Sequence, residues 1–235
     1  GGMALHAAGG VVVSGRNVSF KPWDGGPTRT LLEADPAQGN VGYNDLTTDA
    51  AGRIYAGSLG SSPVFEDDRE PSPGELWMVD LDGSAHRVGE GIWLTNGLGF
   101  SPDGRTLYHS DSSVQTVWRY DVRDDGTLSP KAVFATTGRG HPDGLAVAED
   151  GSVWVALAGG GHGVAVYGPD GDERGFLAIP LPMCTSLCFG GDDLRDLYVV
   201  SGSDGADSER AGAIFRTRVD VPGLPVAPAR TALPR

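Results

Sequence analysis

Short apolar runs alternate with glycine- and aspartate-rich turns along the whole 235-residue chain. A small or acidic residue, a glycine and an apolar run, usually with an aromatic, recur five times. AAGGVVVSG places Val12 at the reference position, DAAGRIYAGS places Tyr55, SPDGRTLYHSD places Tyr108, AEDGSVWVAL places Trp154 and GDDLRDLYVVS places Tyr198. Successive reference positions are 43, 53, 46 and 44 residues apart. A period of about 40–50 residues is that of propeller blades. A second strand follows in each copy: NVSFKPW, GELWMVDLDG, TVWRYDVRDDG, GVAVYGPDG and GAIFRTRVD. A third follows in several, as in KAVFAT and GFLAIPL. Leu76 and Met78 alternate with Trp77 and Val79, a period of 2 rather than 3.6.

No long window repeats apolar residues at helical spacing, because Gly or Pro interrupts almost everywhere. The pattern predicts an all-β chain of hairpin meanders joined by Asp-Gly and Gly-Gly turns. The expected domain is one β-propeller over 1–235, with blades near 1–40, 41–92, 93–139, 140–182 and 183–235. A β-sandwich or another β-solenoid is the alternative, and the blade-length period favours the propeller. The 53-residue interval holds the one insertion, SLGSSPVFEDDREPSP from Ser58 to Pro73. It reads as a surface loop, either a lid or an idle hairpin tip.

Composition refines this picture. The 37 glycines follow no collagen-like period and so indicate tight turns. Hydrophobic residues make up 39%, enough for a sizeable core. The formal charge of −13 argues against nucleic acid and against an anionic membrane surface. It is compatible with cation binding and with a merely soluble acidic surface. Cys184 and Cys188 lie four residues apart, roughly 13 Å in a strand. A disulfide allows Cα atoms only about 4.4–6.8 Å apart, so a strand here means two free thiols, read as small buried residues. That suggests a reducing, cytoplasmic setting. No apolar run has the length of a membrane span, and no signal peptide is visible. The opening GGMALH reads as a tag remnant before Met3 or a start inside a longer protein.

Two polar interruptions stand out. IWLTNGLGFSPDG carries Asn96 just before an apolar run, and GRGHPDGLAVAEDG carries Asp143 at the matching point. As a bare pattern, each is a turn-capping polar residue at a strand entry or an oxygen donor aimed at a site. The five histidines, His6, His86, His109, His141 and His162, lack zinc spacing. His109 alternates with Tyr108, which leaves both a solvent-facing and a channel position open. AGGGHG lacks the Lys-Ser/Thr of a phosphate-binding loop and reads as a hairpin turn. There is no GxSxG nucleophile elbow.

GYNDLTTDAAGRIYAGS, LTNGLGFSPDGRTLYHSDS, HPDGLAVAEDGSVWVAL, TSLCFGGDDLRDLYVVSG and the tail AGAIFRTRVDVPGLP together resemble the SMP-30/gluconolactonase/regucalcin-like family. The resemblance runs in order over essentially the whole chain. It implies a six-bladed propeller with about five blades present here. It also implies a divalent cation in a central channel, Ca²⁺ first, with Zn²⁺, Mg²⁺ or Mn²⁺ as alternatives, and hydrolysis of sugar lactones or related esters. The family's metal ligands map onto Asn96 and Asp143, and Asp143 would also serve as catalytic base. A third ligand, a Glu of the first blade, has no counterpart in this sequence. The family's Arg-x-Asn-Asp substrate motif maps onto Gly42-Tyr43-Asn44-Asp45, with Asn44 kept for substrate and Gly42 in place of Arg. Asp111, in SDS, is either a further channel carboxylate or a turn cap for Ser112 and Ser113. His141 is expected near the channel in a structural role.

A five-copy chain exposes sheet edges unless its flanking blades close up, a homodimer covers the missing blade, or the segment exists in a longer parent. The expected partner is a small lactone or sugar-derived substrate, with neither nucleic acid nor membrane. The alternative to a hydrolase is a non-catalytic or impaired metal- or ligand-binding propeller with an incomplete site.

Overall fold

The computed structural model describes residues 1–61, 69–205 and 211–234. The central part of the Ser58–Pro73 insertion, residues 62–68, lies outside the described residues. The chain is all-β. Two single 3₁₀ turns, Pro36–Gln38 and Ser112–Val114, are the only helical structure among the described residues. No helix there is long and apolar enough to cross a membrane.

Among the described residues nineteen strands form five antiparallel sheets, each a meander in which sequence neighbours pair. The first holds β1 (Met3–His6), β2 (Gly10–Val13), β3 (Val18–Pro22) and β4 (Arg29–Leu32). The second holds β5 (Gly42–Thr48), β6 (Ile54–Leu59), β7 (Gly74–Val79) and β8 (Ala85–Ile92). The third holds β9 (Thr95–Phe100), β10 (Thr106–Asp111), β11 (Thr116–Asp121) and β12 (Ala132–Thr136). The fourth holds β13 (His141–Val147), β14 (Val153–Ala158), β15 (Gly163–Tyr167) and β16 (Glu173–Ala178). The fifth has three strands, β17 (Cys184–Gly190), β18 (Asp196–Ser201) and β19 (Ile214–Arg218). The reference residues Val12, Tyr55, Tyr108, Trp154 and Tyr198 each fall on the second strand of their sheet.

One five-residue turn recurs. In the segments 80–84, 101–105, 123–127, 148–152 and 168–172, an aspartate precedes a glycine whose φ lies between 68° and 89°. That left-handed backbone suits glycine, and the glycine N–H closes onto the carbonyl three residues back in every case. The aspartate carboxylate accepts the N–H two residues on: Asp82 from Ser84 at 2.8 Å, Asp103 from Arg105 at 3.0 Å, Asp125 from Thr127 at 2.9 Å and Asp150 from Ser152 at 2.9 Å. A good part of the acidic charge is therefore turn chemistry.

The described residues fall into two compact units: residues 1–96, 121–130 and 226–235, and residues 97–120 and 131–225. In the first unit, Ala4, Val12, Val18 and Phe20 pack with Leu46, Ile54, Ala56 and Val79. In the second, β14 is covered on both faces. Val153, Val155 and Leu157 join Tyr108, Val117 and Phe134, while Ala156 joins Cys184, Leu187 and Leu197. Burial on both faces explains why β14 reads VWVALA without polar alternation. By contrast β1 buries one face only and leaves Met3 and Leu5 exposed.

The cysteines lie on β17 as free thiols, as a strand requires. Cys184 is buried, and burial pushes its thiol up to about 11. Cys188 is exposed, which corrects the reading of both as buried. AGGGHG is the β14–β15 hairpin connection.

The C-terminal tail is held by backbone hydrogen bonds. Ala229 exchanges bonds of 2.8 Å with Leu5 and Ala7, Arg230 donates to Gly52 at 2.9 Å and Ala232 to Leu81 at 2.8 Å. His6 joins this clasp: its Nδ1 accepts from Ala8 N–H at 3.1 Å, and its Nε2 faces the Thr231 carbonyl at 3.2 Å. An acceptor Nδ1 and a donor Nε2 define a neutral ring. Burial lowers its pKa. His109, fully buried on β10, is pushed down to about 3, chiefly by burial. It therefore does not face solvent.

Both imidazoles titrate lower in the folded than in the unfolded chain, so the unfolded state binds more protons as the pH falls below about 6.5. Stability is full above that pH and is lost on acidification toward the depressed folded values. Denaturant unfolding at pH 7 and pH 5 should show this loss, and His109→Asn should shrink it by about 2 kcal/mol. An unchanged pH dependence in that variant would show that His109 is not buried in neutral form.

Candidate functional site

Asn44, Asn96, His141 and Asp143 lie at one recurrent place, the start of the first strand of a sheet, whereas Asp111 ends the second strand β10. β5 pairs with β6 through a register shift between Tyr43 and Leu46. Tyr43 faces Ser58 and Leu46 faces Ala56, so Asn44 and Asp45 together oppose Gly57. β13 has the same irregularity: Pro142 faces Leu157 and Leu145 faces Val155, so Asp143 and Gly144 oppose Ala156. β17 shifts between Cys184 and Ser186, around Thr185. Such bulges take residues out of the ladder and re-aim their side chains, and they concentrate at functional places. Asn44-Asp45-Leu46, Asn96-Gly97-Leu98 and Asp143-Gly144-Leu145 thus form one series, polar residue first and leucine third.

Small residues let these strands approach. A Cβ on Gly97 would stand 2.2 Å from the Leu145 nitrogen and 2.7 Å from the Asp143 carbonyl oxygen. On Gly144 it would stand 2.5 Å from Ser186 Oγ. On Gly57 it would stand 1.8 Å from Thr95 Oγ1. The glycine after Asn96 and the one after Asp143 are therefore packing requirements.

Asn44 and Asn96 are brought together. Asn44 Nδ2 donates to the Thr95 carbonyl and to Asn96 Oδ1, both at 2.7 Å. Asn96 is 9% exposed and Thr95 fully buried. The Asn44 backbone is pinned from the other side, its carbonyl accepting from Gly2 N–H at 2.9 Å and from the Ser14 hydroxyl. Asp45, not singled out from the sequence, is half-buried, and burial raises its pKa. A carboxylate directly after a motif asparagine was the only signal for it.

On β13, Asp143 is half-buried and His141 is exposed. His141 Nδ1 lies 2.8 Å from the Ser112 carbonyl, and Ser112 Oγ donates to the Pro142 carbonyl at 2.6 Å. The 3₁₀ turn at Ser112–Val114 thereby braces the strand that carries Asp143. Asp111 is fully buried and accepts from Trp118 Nε1 at 3.4 Å. Its side chain makes no capping bond to the turn that follows, so the turn-cap alternative does not hold.

At Gly42, where the resembled motif has Arg, φ is 154° and a Cβ would stand 3.0 Å from the Gly15 carbonyl. This backbone is shaped for glycine.

Among the described residues no group of three or more His, Cys, Asp and Glu is placed to hold a metal. Asn96 offers an amide oxygen and Asp143 carboxylate oxygens, donor types that each suit a hard ion such as Ca²⁺ better than Zn²⁺ with its nitrogen and sulfur ligands.

A 6-deoxy-6-sulfogluconolactonase of Pseudomonas putida is 32% identical over 233 residues, covering 95% of this chain and 78% of that protein. Pentonolactonase XacC of Haloferax volcanii is 34% identical over 196 residues, covering 78% of this chain and 64% of its own length. The chain thus spans roughly two thirds to three quarters of these relatives. The solved structure of regucalcin, a calcium-binding protein from Agrobacterium tumefaciens, superposes with a TM-score of 0.83 at 23% identity, over 98% of this chain and 79% of that one. The sequence profile of the SMP-30/Gluconolactonase/LRE-like region matches residues 1–203, and the chain belongs to that family.

Proposed function

We propose that the protein hydrolyses sugar lactones with the help of a divalent cation, Ca²⁺ before Zn²⁺, Mg²⁺ or Mn²⁺. The observation that carries this reading is the series of polar residues at the starts of first strands, two of them at bulges, in a chain whose relatives include two lactonases. The name of the regucalcin structure supports calcium. Asn96 and Asp143 are the proposed oxygen ligands, each on the strength of its own motif. A bound cation would polarise the lactone carbonyl and acidify water.

The chain's own groups supply the rest. The Asp143 carboxylate accepts a proton from the attacking water as the C–O bond to the carbonyl carbon forms. It returns that proton to the ring oxygen as the ester bond breaks, leaving the open hydroxy acid. Asn44 contacts the substrate through Oδ1, which accepts from a sugar hydroxyl, because both Nδ2 protons are already used.

Gly42 favours a second reading, a propeller that binds metal or ligand without turning it over. The planar donor fork that would grip an oxygen-rich substrate is missing there. Turnover of hexono- and pentonolactones, with Ca²⁺ and after chelation, separates the two. Metal-dependent hydrolysis should appear and fall by about 10²-fold or more in Asp143→Ala. Calorimetric Ca²⁺ binding without turnover would support the binding reading, and no binding at all would sink both.

A further inference from the structure

The carbonyl of Thr95 decides which way two side-chain amides point. A backbone carbonyl can only accept, so the Asn44 atom 2.7 Å from it is the amide nitrogen. That NH₂ group has a second proton, and its second partner, 2.7 Å away, is the side chain of Asn96. To receive an N–H, Asn96 must present Oδ1 rather than its own nitrogen. The orientation thus passes from the Thr95 carbonyl to Asn44 and from Asn44 to Asn96. Thr95 cannot drift, since it is fully buried and its side chain fills the space left by Gly57.

We propose that Asn44 is a positioning residue that fixes the amide of Asn96 so that its oxygen is held ready for a cation. This rests on the proposed ligand role of Asn96 and adds to it a residue whose loss acts through another side chain. An amide oxygen carries two lone pairs, and an N–H donor polarises the carbonyl toward oxygen. Both effects favour a hard cation over the alternative rotamer, in which the amide nitrogen would face it. Partners that orient a metal ligand are typically worth about 10–100-fold in affinity.

A substrate contact alone would behave differently. Asn44→Ala would then raise KM and leave cation affinity unchanged. The lock instead requires the Ca²⁺ dissociation constant of Asn44→Ala, measured by calorimetry on the full chain, to rise about 10-fold or more. In an Asn96→Ala background, Asn44→Ala should add little, because its route of action is gone. Equal Ca²⁺ affinity in wild type and Asn44→Ala, or full additivity with Asn96→Ala, overturns the proposal. A measurement on the wild type stands if the variants fold poorly. The two Asn44 side-chain amide protons should be individually resolved by NMR and protected from exchange, and rapid exchange of both would show that the lock does not exist. Protected protons in a wild type that binds no Ca²⁺ would keep the lock and reject its cation role.

Discussion

Thr95 sits where it does because residue 57 has no side chain. A Cβ at that position would lie 1.8 Å from the threonine hydroxyl, and both residues are buried. The orientation of Asn44 and Asn96 depends on this contact, through a carbonyl whose position the threonine side chain secures. The bulge in β5 falls opposite the same glycine, with Asn44 and Asp45 facing residue 57. The related bulge in β13 opposes Ala156, the next smallest side chain. Small residues on the second strand and polar residues on the first are thus two halves of one device.

Elsewhere the same economy of small residues serves a different end. The Asp-Gly turns use the glycine for a left-handed backbone and the aspartate for an N–H two residues ahead. These carboxylates are exposed and committed to local bonds, and hydrogen bonds hold Asp82, Asp103 and Asp125 below their ordinary pKa. A net charge of −13 therefore says less about cation binding than its size suggests. Burial, rather than count, marks the acids that differ. Asp45 is pushed up by burial, and Asp111 is enclosed beside Trp118.

Much of the fold was legible because a strand declares itself every second residue and a turn declares itself through Asp-Gly. The five reference residues, from Val12 to Tyr198, found the second strand of each sheet. Asn44, Asn96 and Asp143 were found by motif, but that Asn44 belongs to the same series was not. The reason is that Asp45 fills the place held by Gly97 and Gly144 elsewhere, which hides the repeat. His109 was ambiguous since alternation gives two faces without saying whether one of them is covered, and here the ring is wholly enclosed. Cys188 was misplaced because the register shift around Thr185 changes the alternation, so that Cys184 and Leu187 pack with Ala156 while Cys188 is exposed. The clasp of the C-terminal tail left no pattern, because its bonds are made by backbone groups that every residue possesses.

Repetition with one variable position gives this architecture its chemistry. The leucine of each triplet, at 46, 98 and 145, stays apolar because it must enter a core, and Leu46 and Leu145 do so. The residue two places before it is free of that duty, lying at a bulge in β5 and β13, so it can be an amide at 44 and 96 and a carboxylate at 143. Changing it alters the donor offered without disturbing the ladder that follows. The middle residue is constrained by the approaching strand, which is why 97 and 144 are glycine. Position 45 escapes the rule and carries a carboxyl that burial drives toward its neutral form. In this scheme packing selects one residue in three, close approach a second, and the remaining one is left for function.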